Sequence, residues 1–509
     1  MNNSGYYPVN DDAFENLLKS SVPFEPPEDV VKAVTPWKKA MKRVIWGLAL
    51  NTLTLNIYYL NYILPVAGMI LSVLGLRLLR RENKWFRAYY AVTLVATAYK
   101  WFIFSSLATV TYQDVFPEML FTALTLTILL TQLILFCMSL NATAKKAGIK
   151  QPISPMIALI VWYIIIAVLG LMNYTGFIIP IAMIIGFIFI IRSLCKISSQ
   201  IDEIGYSIEN APIKIKDSVL SLMLVSALIL GLTCGYAFFS GYKMQWEIKD
   251  ENEHLQIEEI KENLIDLGFP EKVLSDMSAE DIIACKGATK VVVYKVQIPF
   301  NDNSRSVTYQ KQITPYFSSV VTETVYDVKE MTETFIGVCL TVEPEGDGDW
   351  QLIHHFCWDI NPGFYGTECI QIYPAYRNEH LRCYSFVSEP TGRVLYTQNG
   401  VNYTSPYHSL GSESYTSDNL LFGAQTNTDI FATFSFPNEG ENHRGYVMYP
   451  IADNSDKNSI IDSWFNYNHQ HSLLQYPAET AKDNIKADRS EAFKEKQRAL
   501  QIADRELME

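Results

Sequence analysis

An abrupt change in hydrophobic patterning near residue 240 constrains this chain more than any other feature of its sequence. Seven long apolar runs precede that point, whereas residues 241–509 contain no run of the roughly 20 apolar residues that a membrane-spanning helix needs. The sequence therefore predicts an integral membrane α-helical bundle of seven transmembrane helices, followed by a domain outside the lipid. The apolar runs cover residues 44–60, 62–79, 89–110, 119–140, 156–173, 176–194 and 219–240.

Charge follows the same division. Residues 1–240 carry 19 Lys and Arg against 13 Asp and Glu, a net charge of +6. Residues 241–509 carry 22 Lys and Arg against 41 Asp and Glu, a net charge of −19. A domain this acidic repels the phosphate backbone of DNA and RNA. The sequence therefore excludes nucleic acid as a partner and predicts the lipid bilayer as the partner of the first half.

Basic residues occur in alternate loops between the apolar runs, and the loops at 112–118 and 173–175 contain none. Lys and Arg collect on the cytoplasmic side of membrane proteins. The alternation therefore predicts a multi-pass protein of the cell membrane, with a cytoplasmic N-terminus and an extracytoplasmic C-terminal domain. The basic residues are Lys38, Lys39, Lys42 and Arg43 before the first run; Arg80, Arg81, Lys84 and Arg87 after the second; Lys145, Lys146 and Lys150 after the fourth; and Arg192, Lys196, Lys214 and Lys216 after the sixth.

Composition divides the chain into five predicted segments. The first residues are polar, acidic and proline-bearing, which is typical of disorder. After residue 240, apolar residues recur at helical intervals among acids until Gly268-Phe269-Pro270 breaks the pattern. The predicted segments are a disordered cytoplasmic tail (1–43), the seven-helix transmembrane domain (44–240), a helical stalk (241–289), an extracytoplasmic β-sandwich domain (290–475) and a charged helical tail (476–509).

From Lys290 the sequence changes to short β-rich runs separated by Gly, Pro, Asn and Asp clusters. Many short strands at such spacing predict a mainly-β domain, an antiparallel sandwich or jelly-roll, with short helices at its start and end. The segment 402–428, rich in Ser, Tyr, Gly, Asn and Thr, is predicted to be a long surface loop. The predicted strands are 291–298, 306–313, 335–343, 350–359, 368–373, 381–387, 393–398, 429–436 and 445–451.

Lys100 lies near the middle of the third apolar run and is the only charge at such depth. An ionisable side chain inside a membrane is by default a functional hypothesis. The alternative is a Lys that reaches toward the interface or faces a polar neighbour such as Asn51, Asn56 or Gln132. No Asp or Glu lies within any apolar run, which disfavours ion-coupled transport.

Two histidines suggest a metal site. His469 and His471 are two residues apart, so on a strand their imidazoles would share one face. The third ligand for zinc would be His443 or an acidic residue, and nothing in the sequence decides between them. The alternative is that these histidines make ordinary hydrogen bonds in strands and loops. The acidic turn at 343–349 offers carboxylates for calcium, and a solvated hairpin turn explains it equally well.

Aromatic residues are concentrated in the β-rich part. Trp350, Phe356 and Trp358 alternate onto one face of a strand, where they would form either the core, the commoner fate, or a platform for sugar rings and peptide side chains. A ligand-binding surface is predicted instead around the 402–428 loop, because Tyr combines apolar area with a hydroxyl. The candidate ligand-binding residues are Tyr403, Tyr407, Tyr415 and His355.

The cysteines and the absent motifs bear on mechanism. Five cysteines (Cys285, Cys339, Cys357, Cys369 and Cys383) fall in the second half, an odd number that leaves disulfide pairing open between buried thiols and one or two bonds. No GxSxG, HExxH, P-loop or CxxC motif occurs, so nothing in the sequence indicates catalysis.

The leading hypothesis is a membrane-anchored extracytoplasmic protein for ligand binding, sensing or interaction, without a cofactor. Its ligand outside the cell would be a glycan or a peptide, and a membrane-protein partner would contact the basic inner loops. The first alternative is a non-catalytic subunit of a membrane transport or export complex. The second alternative is a cell-surface hydrolase.

Overall fold

The computed structural model of the protein describes most of the chain from residue 36 onward. By contacts the chain divides into two compact units, Met1–Phe104 with Phe116–Gly231, and Ser105–Val115 with Leu232–Glu509. The described residues are 36–52, 58–110, 118–149, 154–172, 176, 178–204, 206, 208, 211–250, 257–314, 317–340, 349–377, 383–384, 388–419, 423–452, 460–487 and 490–503.

Each of the seven predicted apolar runs overlaps one α-helix. By length and composition, four of the described helices could cross a membrane: Leu60–Leu79, Met119–Lys146, Ile178–Glu203 and Asp217–Phe239. Pro155–Gly170 is a shorter apolar helix. The helices are α1 (Pro36–Thr52), α2 (Leu60–Leu79), α3 (Lys84–Ser106), α4 (Glu118–Lys146), α5 (Ser154–Leu171), α6 (Ile178–Glu203) and α7 (Asp217–Phe239).

The backbones of α1 and α2 lie so close together at three glycines that any other residue there would overlap the opposite helix. A Cβ atom added to Gly68 would lie 2.6 Å from the Gly47 carbonyl oxygen and 2.7 Å from the Asn51 nitrogen. A Cβ atom on Gly75 would lie 2.7 Å from the Ala40 carbonyl oxygen. Small residues at such positions let helix backbones touch, which is the usual way helices associate in lipid.

Charged residues link the ends of several helices. Asp217, at the start of α7, forms ion pairs with Arg43 of α1 at 2.8 Å and with Arg77 of α2. Glu82, between α2 and α3, is buried and lies 3.2 Å from the ammonium of Lys146 at the end of α4. The first half of α1, the end of α2, the end of α4 and the start of α7 therefore meet.

The end of α6 belongs to the same group. The indole nitrogen of Trp37, at the start of α1, donates to the Ser198 carbonyl of α6 at 3.1 Å. Tyr206, beyond α6, donates its hydroxyl to Glu82 at 2.6 Å. Within the described helices, α1 and α7 therefore start where α2, α4 and α6 end, so these two sets run in opposite directions.

The α1–α2 contact predicts a contrast between two glycine substitutions. Gly68→Ala should lower the free energy of unfolding by about 1–3 kcal/mol, because its methyl group overlaps the α1 backbone. Gly170→Ala in α5 meets no atom within 4 Å, so it should be neutral or stabilising by up to about 1 kcal/mol. Thermal unfolding of both variants in detergent measures the difference. Equal shifts in melting temperature would contradict the close packing.

The second unit contains a large antiparallel β domain built from two sheets. In the first sheet the strands follow the order β1-β8-β7-β11-β4-β3-β2, and in the second β13-β12-β5-β10-β9, with β6 beside β5. The strands are β1 (Glu247–Ile248), β2 (Lys290–Thr314), β3 (Phe317–Cys339), β4 (Asp349–Trp358), β5 (Glu368–Arg377), β6 (Cys383–Tyr384), β7 (Thr391–Gln398), β8 (Val401–Pro406), β9 (Ser409–Asn419), β10 (Gly423–Phe434), β11 (Glu441–Ala452), β12 (Ile460–Gln470) and β13 (Phe493–Ala503).

The two sheets share one apolar core. Phe335 and Phe356 of the first sheet belong to the same buried cluster as Phe434 and Phe465 of the second. The alternating face of β4 that carries Trp350, Phe356 and Trp358 lies in this cluster, so the core interpretation of these aromatics is confirmed. The arrangement is a sandwich in which apolar side chains of both sheets meet.

The predicted helical stalk is wrong. Residues 247–248 form β1, which pairs with β8, and three short helices follow: α8 (Glu258–Asp266), α9 (Glu271–Asp276) and α10 (Ala279–Ala284). Their apolar residues, including Leu264 and Leu274, pack on the first sheet against Ile353 and Met448. The helical periodicity of this segment correctly indicates helices, but their apolar residues cover one face of the first sheet.

Two other predictions fail in the same domain. The predicted loop 402–428 is mostly strand, since β8, β9 and the start of β10 fall there. The predicted helical tail contains only one short helix, α11 (Ala481–Ala487), and then β13, which pairs with β12 from Phe493 to Ala503. Pairing with the edge of β12 overrides a helical propensity that is weak by itself.

A long ribbon extends from the first sheet. β2 pairs with β3 from Lys290↔Cys339 to Thr314↔Phe317. In the described sheet, β4 accompanies β3 only along Met331–Cys339. The remainder, residues 301–314 with 317–329, is therefore a two-stranded ribbon of about 45 Å at 3.4 Å per residue.

Four of the five cysteines in this domain are buried: Cys285, Cys339, Cys357 and Cys369. The thiols of Cys285, Cys357 and Cys369 are not disulfide-bonded. Burial raises the pKa of the Cys285 thiol to about 12, so it stays protonated at neutral pH. The side chain of Cys383 lies outside the described residues.

Candidate functional site

A pocket of about 530 Å³ opens in the second unit, where the chain leaves α7 and joins the β domain. We call it the aromatic pocket. Its wall is formed by the end of α7, the segment 240–246, and loops of both sheets. Among its lining residues are Tyr236, Phe238, Tyr242, Lys243, Met244, Trp246, Phe364, Tyr365, Ser435, Phe436, Asn438 and Leu473.

Backbone hydrogen bonds hold the segment 240–246 in place. The Tyr242 amide donates to the Ser435 hydroxyl at 2.8 Å, and the Gln245 amide donates to the Ser405 hydroxyl at 3.0 Å. A Cβ atom on Gly241 would lie 3.0 Å from the Ser435 hydroxyl oxygen, so the backbone itself passes close to the loop after β10. The segment therefore forms a fixed wall.

Aromatic rings form the other surfaces. Trp246 meets Tyr396 edge-on at 4.8 Å and lies parallel to Phe436 at 6.1 Å, measured between ring centroids. Phe364 packs on Phe436 at 4.9 Å, and both are buried. Tyr365 is 40% exposed at the rim. The pocket thus combines an apolar floor with the exposed ring of Tyr365 at its rim and the partly exposed rings of Tyr242 and Trp246 in its wall.

One cation lies at the pocket. Lys243 is exposed, and its ammonium lies 5.7 Å from the centre of the Phe239 ring. None of the lining residues is acidic. Within a domain of strongly negative net charge, the lining of this pocket carries one positive charge. An anionic group on a ligand would therefore be favoured here.

His443 lies behind the floor. Its ring contacts Phe364 at 4.6 Å and Phe436 at 4.9 Å, and its Nε2 donates to the Pro437 carbonyl at 3.1 Å. Burial lowers the pKa of His443 to about 4, and the nearby charge of Arg444 acts in the same direction. The imidazole is therefore neutral at physiological pH, and its Nδ1 has no hydrogen-bond partner among the described residues.

His469 and His471, the predicted metal pair, make separate contacts. His469 is buried, with Nδ1 2.9 Å from Glu368, and burial raises the pKa of that carboxyl even though His469 opposes the shift. His471 donates from Nε2 to the Glu491 carbonyl at 2.8 Å. In the described part of the chain, no group of three or more His, Cys, Asp or Glu residues is placed to hold a metal ion. The acidic turn at 343–349 falls almost wholly outside the described residues.

The predicted ligand residues do not line the aromatic pocket. Tyr403 stacks on Tyr396 at 5.0 Å, and Tyr407 is buried, its hydroxyl donating to the Tyr446 carbonyl at 3.0 Å. The side chain of Tyr415 lies outside the described residues. Tyr403 therefore lies in a stack of rings and Tyr407 in the core, and neither is among the described residues that line the pocket.

His355, the fourth predicted ligand residue, is buried under the short helices. Its Nε2 lies 3.0 Å from Asp276, which also accepts from Arg444 at 2.8 Å. Burial alone would raise the pKa of Asp276, but the hydrogen bond from His355 and the charge of Arg444 lower it overall. This group attaches α9 to the sheet.

A buried relay crosses the core between the sheets. His354 Nδ1 lies 3.0 Å from Glu333, and His354 Nε2 lies 2.7 Å from the Ser463 hydroxyl. With Nδ1 donating to the carboxylate, Nε2 accepts from Ser463, which in turn accepts from Tyr449 at 2.8 Å. Arg498 donates to the other Glu333 oxygen at 2.9 Å.

Serine, histidine and carboxylate in this order resemble a nucleophilic triad. Sequence reasoning missed it, because Ser463 and His354 are 109 residues apart and no local motif surrounds them. Both side chains have no exposed surface. A substrate has no access to the hydroxyl, so the relay serves to satisfy polar groups inside the core.

Lys100, the intramembrane candidate, lines a cavity of about 160 Å³ in the first unit. Asn51 and Gln132, two of its predicted polar neighbours, line the same cavity. Asn56 lies outside the described residues. Two of the three polar neighbours named in the alternative interpretation of Lys100 therefore line its cavity.

No protein-family model matches this chain, and no curated protein matches its sequence.

The relay predicts a structural role for Ser463. Ser463→Ala removes the group that His354 and Tyr449 share, so it should lower the free energy of unfolding by about 1–3 kcal/mol. Chemical unfolding of the full chain in detergent measures this change, and Ser388→Ala, at an exposed serine, is the control. Labelling of Ser463 by a fluorophosphonate in the folded protein would instead identify a reactive nucleophile.

Proposed function

We propose that this chain is a membrane-anchored extracytoplasmic binding protein whose ligand occupies the aromatic pocket. The observation that carries the proposal is the pocket itself, with aromatic side chains, one cation and no carboxylate in its lining. Small-molecule sites are commonly apolar and aromatic clefts of about 300–1,000 Å³ with a few placed polar groups. The aromatic pocket fits that description.

The chemistry of the pocket favours a ligand with a flat apolar face. Ring faces of Tyr242, Trp246 and Tyr365 suit the apolar side of a sugar ring or an aromatic peptide side chain. Lys243 suits an anionic substituent on the same ligand. The proposed ligand is therefore a glycan or a peptide, and an acidic one is favoured over a basic one.

The proposed topology is seven crossings with a cytoplasmic N-terminus, the helical domain ending near residue 240. Three observations support it: the alternation of basic loops, the four helices long and apolar enough to cross a membrane, and the shared end of α1, α2, α4, α6 and α7. The basic ends of these helices would then lie on the cytoplasmic side.

A partner on the cytoplasmic side is part of the proposal. A groove of about 530 Å³ in the first unit is lined by Ile149, Pro155, Lys196, Gln200 and Glu203, close to the basic loops. This groove would receive a membrane-protein partner through which a bound state is relayed.

The alternative is a non-catalytic subunit of a transport or export complex. The ribbon of β2 and β3 favours it, because the free strand edges of a projecting ribbon can pair with another chain. The hydrolase alternative is disfavoured, because the relay serine is fully buried.

A binding test uses the intrinsic fluorescence and melting temperature of the full chain in detergent. Acidic and neutral glycans and peptides should include a ligand that raises the melting temperature, since it binds only the folded state. Trp246→Ala should weaken that binding at least tenfold, and Trp464→Ala, at a partly exposed tryptophan on β12, should leave it unchanged. If no compound raises the melting temperature, and deletion of the ribbon releases a co-purifying membrane protein, the alternative replaces the proposal.

The topology can be tested in intact cells. Thr308→Cys and Ala147→Cys are made separately in a chain in which Cys195, Cys234 and Cys383 are replaced by Ser, since Cys195 and Cys234 are exposed and the side chain of Cys383 lies outside the described residues. A membrane-impermeant maleimide should label position 308 and not 147, and lysed cells should label both. Labelling of 147 alone would reverse the orientation.

A further inference from the structure

The cavity beside Lys100 is polar in an otherwise apolar helical unit. Ten of its fourteen lining residues carry hydroxyl, amide or ammonium groups, and they come from α1, α2, α3, α4 and α5. Its volume is about 160 Å³, and one water occupies roughly 30 Å³ in the liquid, so the cavity has room for several water-sized molecules. A cavity of this polarity inside a helical bundle indicates solvent or an ion.

The close contact of α1 and α2 builds one wall. Gly47 and Gly68 allow the two backbones to touch, which brings Asn51 of α1 and Ser72 of α2 to the same cavity. α3 contributes Lys100 one helical turn beyond Thr97. The two glycines carry no polar side chain, but the close approach that they permit determines which polar residues line the cavity.

Lys100 has no counter-charge in the described part of the protein. Its ammonium lies 5.5 Å from the centre of the Phe104 ring, and none of the fourteen residues that line the cavity is acidic. A charged side chain at the centre of a membrane is costly when it has no partner. An anion from solution would offset that cost.

Several lining groups are already occupied by internal hydrogen bonds. Thr97 donates to the Thr93 carbonyl at 2.8 Å, Tyr99 donates to the Phe121 carbonyl at 3.1 Å, and Gln132 donates to the Thr93 hydroxyl at 3.1 Å.

Asn51, Ser72 and Lys100 make no side-chain hydrogen bond to another described residue. Amide, hydroxyl and ammonium are all donors. A cation would be repelled by Lys100, whereas an anion would find three kinds of donor.

We propose that this cavity binds one small monovalent anion, with Lys100 as its counter-ion and Asn51 and Ser72 as neutral donors. The site is independent of the aromatic pocket and of the orientation of the chain. The ligand class is that of chloride, bromide, nitrate or formate, small anions of one charge that a single ammonium can balance.

The test is direct binding by the full chain in detergent, measured by ³⁵Cl⁻ line broadening and by melting temperature at constant ionic strength with gluconate as the balancing anion. Wild-type protein should show saturable broadening and a melting temperature that rises with chloride. Lys100→Met should weaken chloride binding at least tenfold. Lys84→Met removes an exposed lysine near the start of the same helix and should change nothing.

Two further variants keep the test decisive. Lys100→Arg should restore binding in part, and Asn51→Leu should weaken it while leaving the charge in place. In gluconate alone, Lys100→Met should melt higher than wild type, because an unneutralised charge has been removed. Saturable ³⁵Cl⁻ broadening that survives in Lys100→Met would overturn the proposal. So would a wild-type protein that shows no such broadening and whose melting temperature is raised by none of chloride, bromide, nitrate and formate.

Discussion

The first β sheet is apolar on both faces, and the rest of its domain depends on covering both. β4 shows the constraint most clearly, because Phe356 faces the core shared with the second sheet while Ile353 faces the short helices. Neither face can be left to water without exposing a large apolar area. The second sheet covers one side, and α8, α9 and α10 cover the other.

The same two-sided burial explains the pair His354 and His355. Neighbouring residues on a strand point to opposite faces, so each imidazole enters a different buried layer. Each finds a carboxylate there, Glu333 for His354 and Asp276 for His355, and each carboxylate has an arginine partner. A buried charge requires partners of opposite charge and hydrogen bonds, because the free-energy cost of its desolvation is high when it is unpaired. The polar contacts therefore connect the three layers that the apolar residues define.

The sequence was sufficient for the patterns that repeat locally. Apolar runs located the seven helices described in residues 36–239, and alternation located most of the described strands of the sandwich. It failed where a segment's partner is distant in the chain. The residues around Phe493 carry no local sequence pattern that predicts the pairing of β13 with β12. Likewise, the residues around Leu264 do not indicate that their helix covers a sheet. The triad-like relay and the aromatic pocket were missed for the same reason, whereas Lys100 stood out because a charge in an apolar run is conspicuous without any partner.

The ribbon of β2 and β3 has a consequence for how evenly the domain is stabilised. Its base, where β4 accompanies β3, shares the buried core, but from residue 301 to residue 329 the two strands pair, among the described strands, only with each other. Two strands alone are at best marginally stable in water. The ribbon should therefore open from its tip many times for each unfolding of the sandwich, and its amide protons should exchange with solvent long before those of β4 and β11. The domain would thus contain a region in rapid local equilibrium joined to a core that unfolds only as a whole.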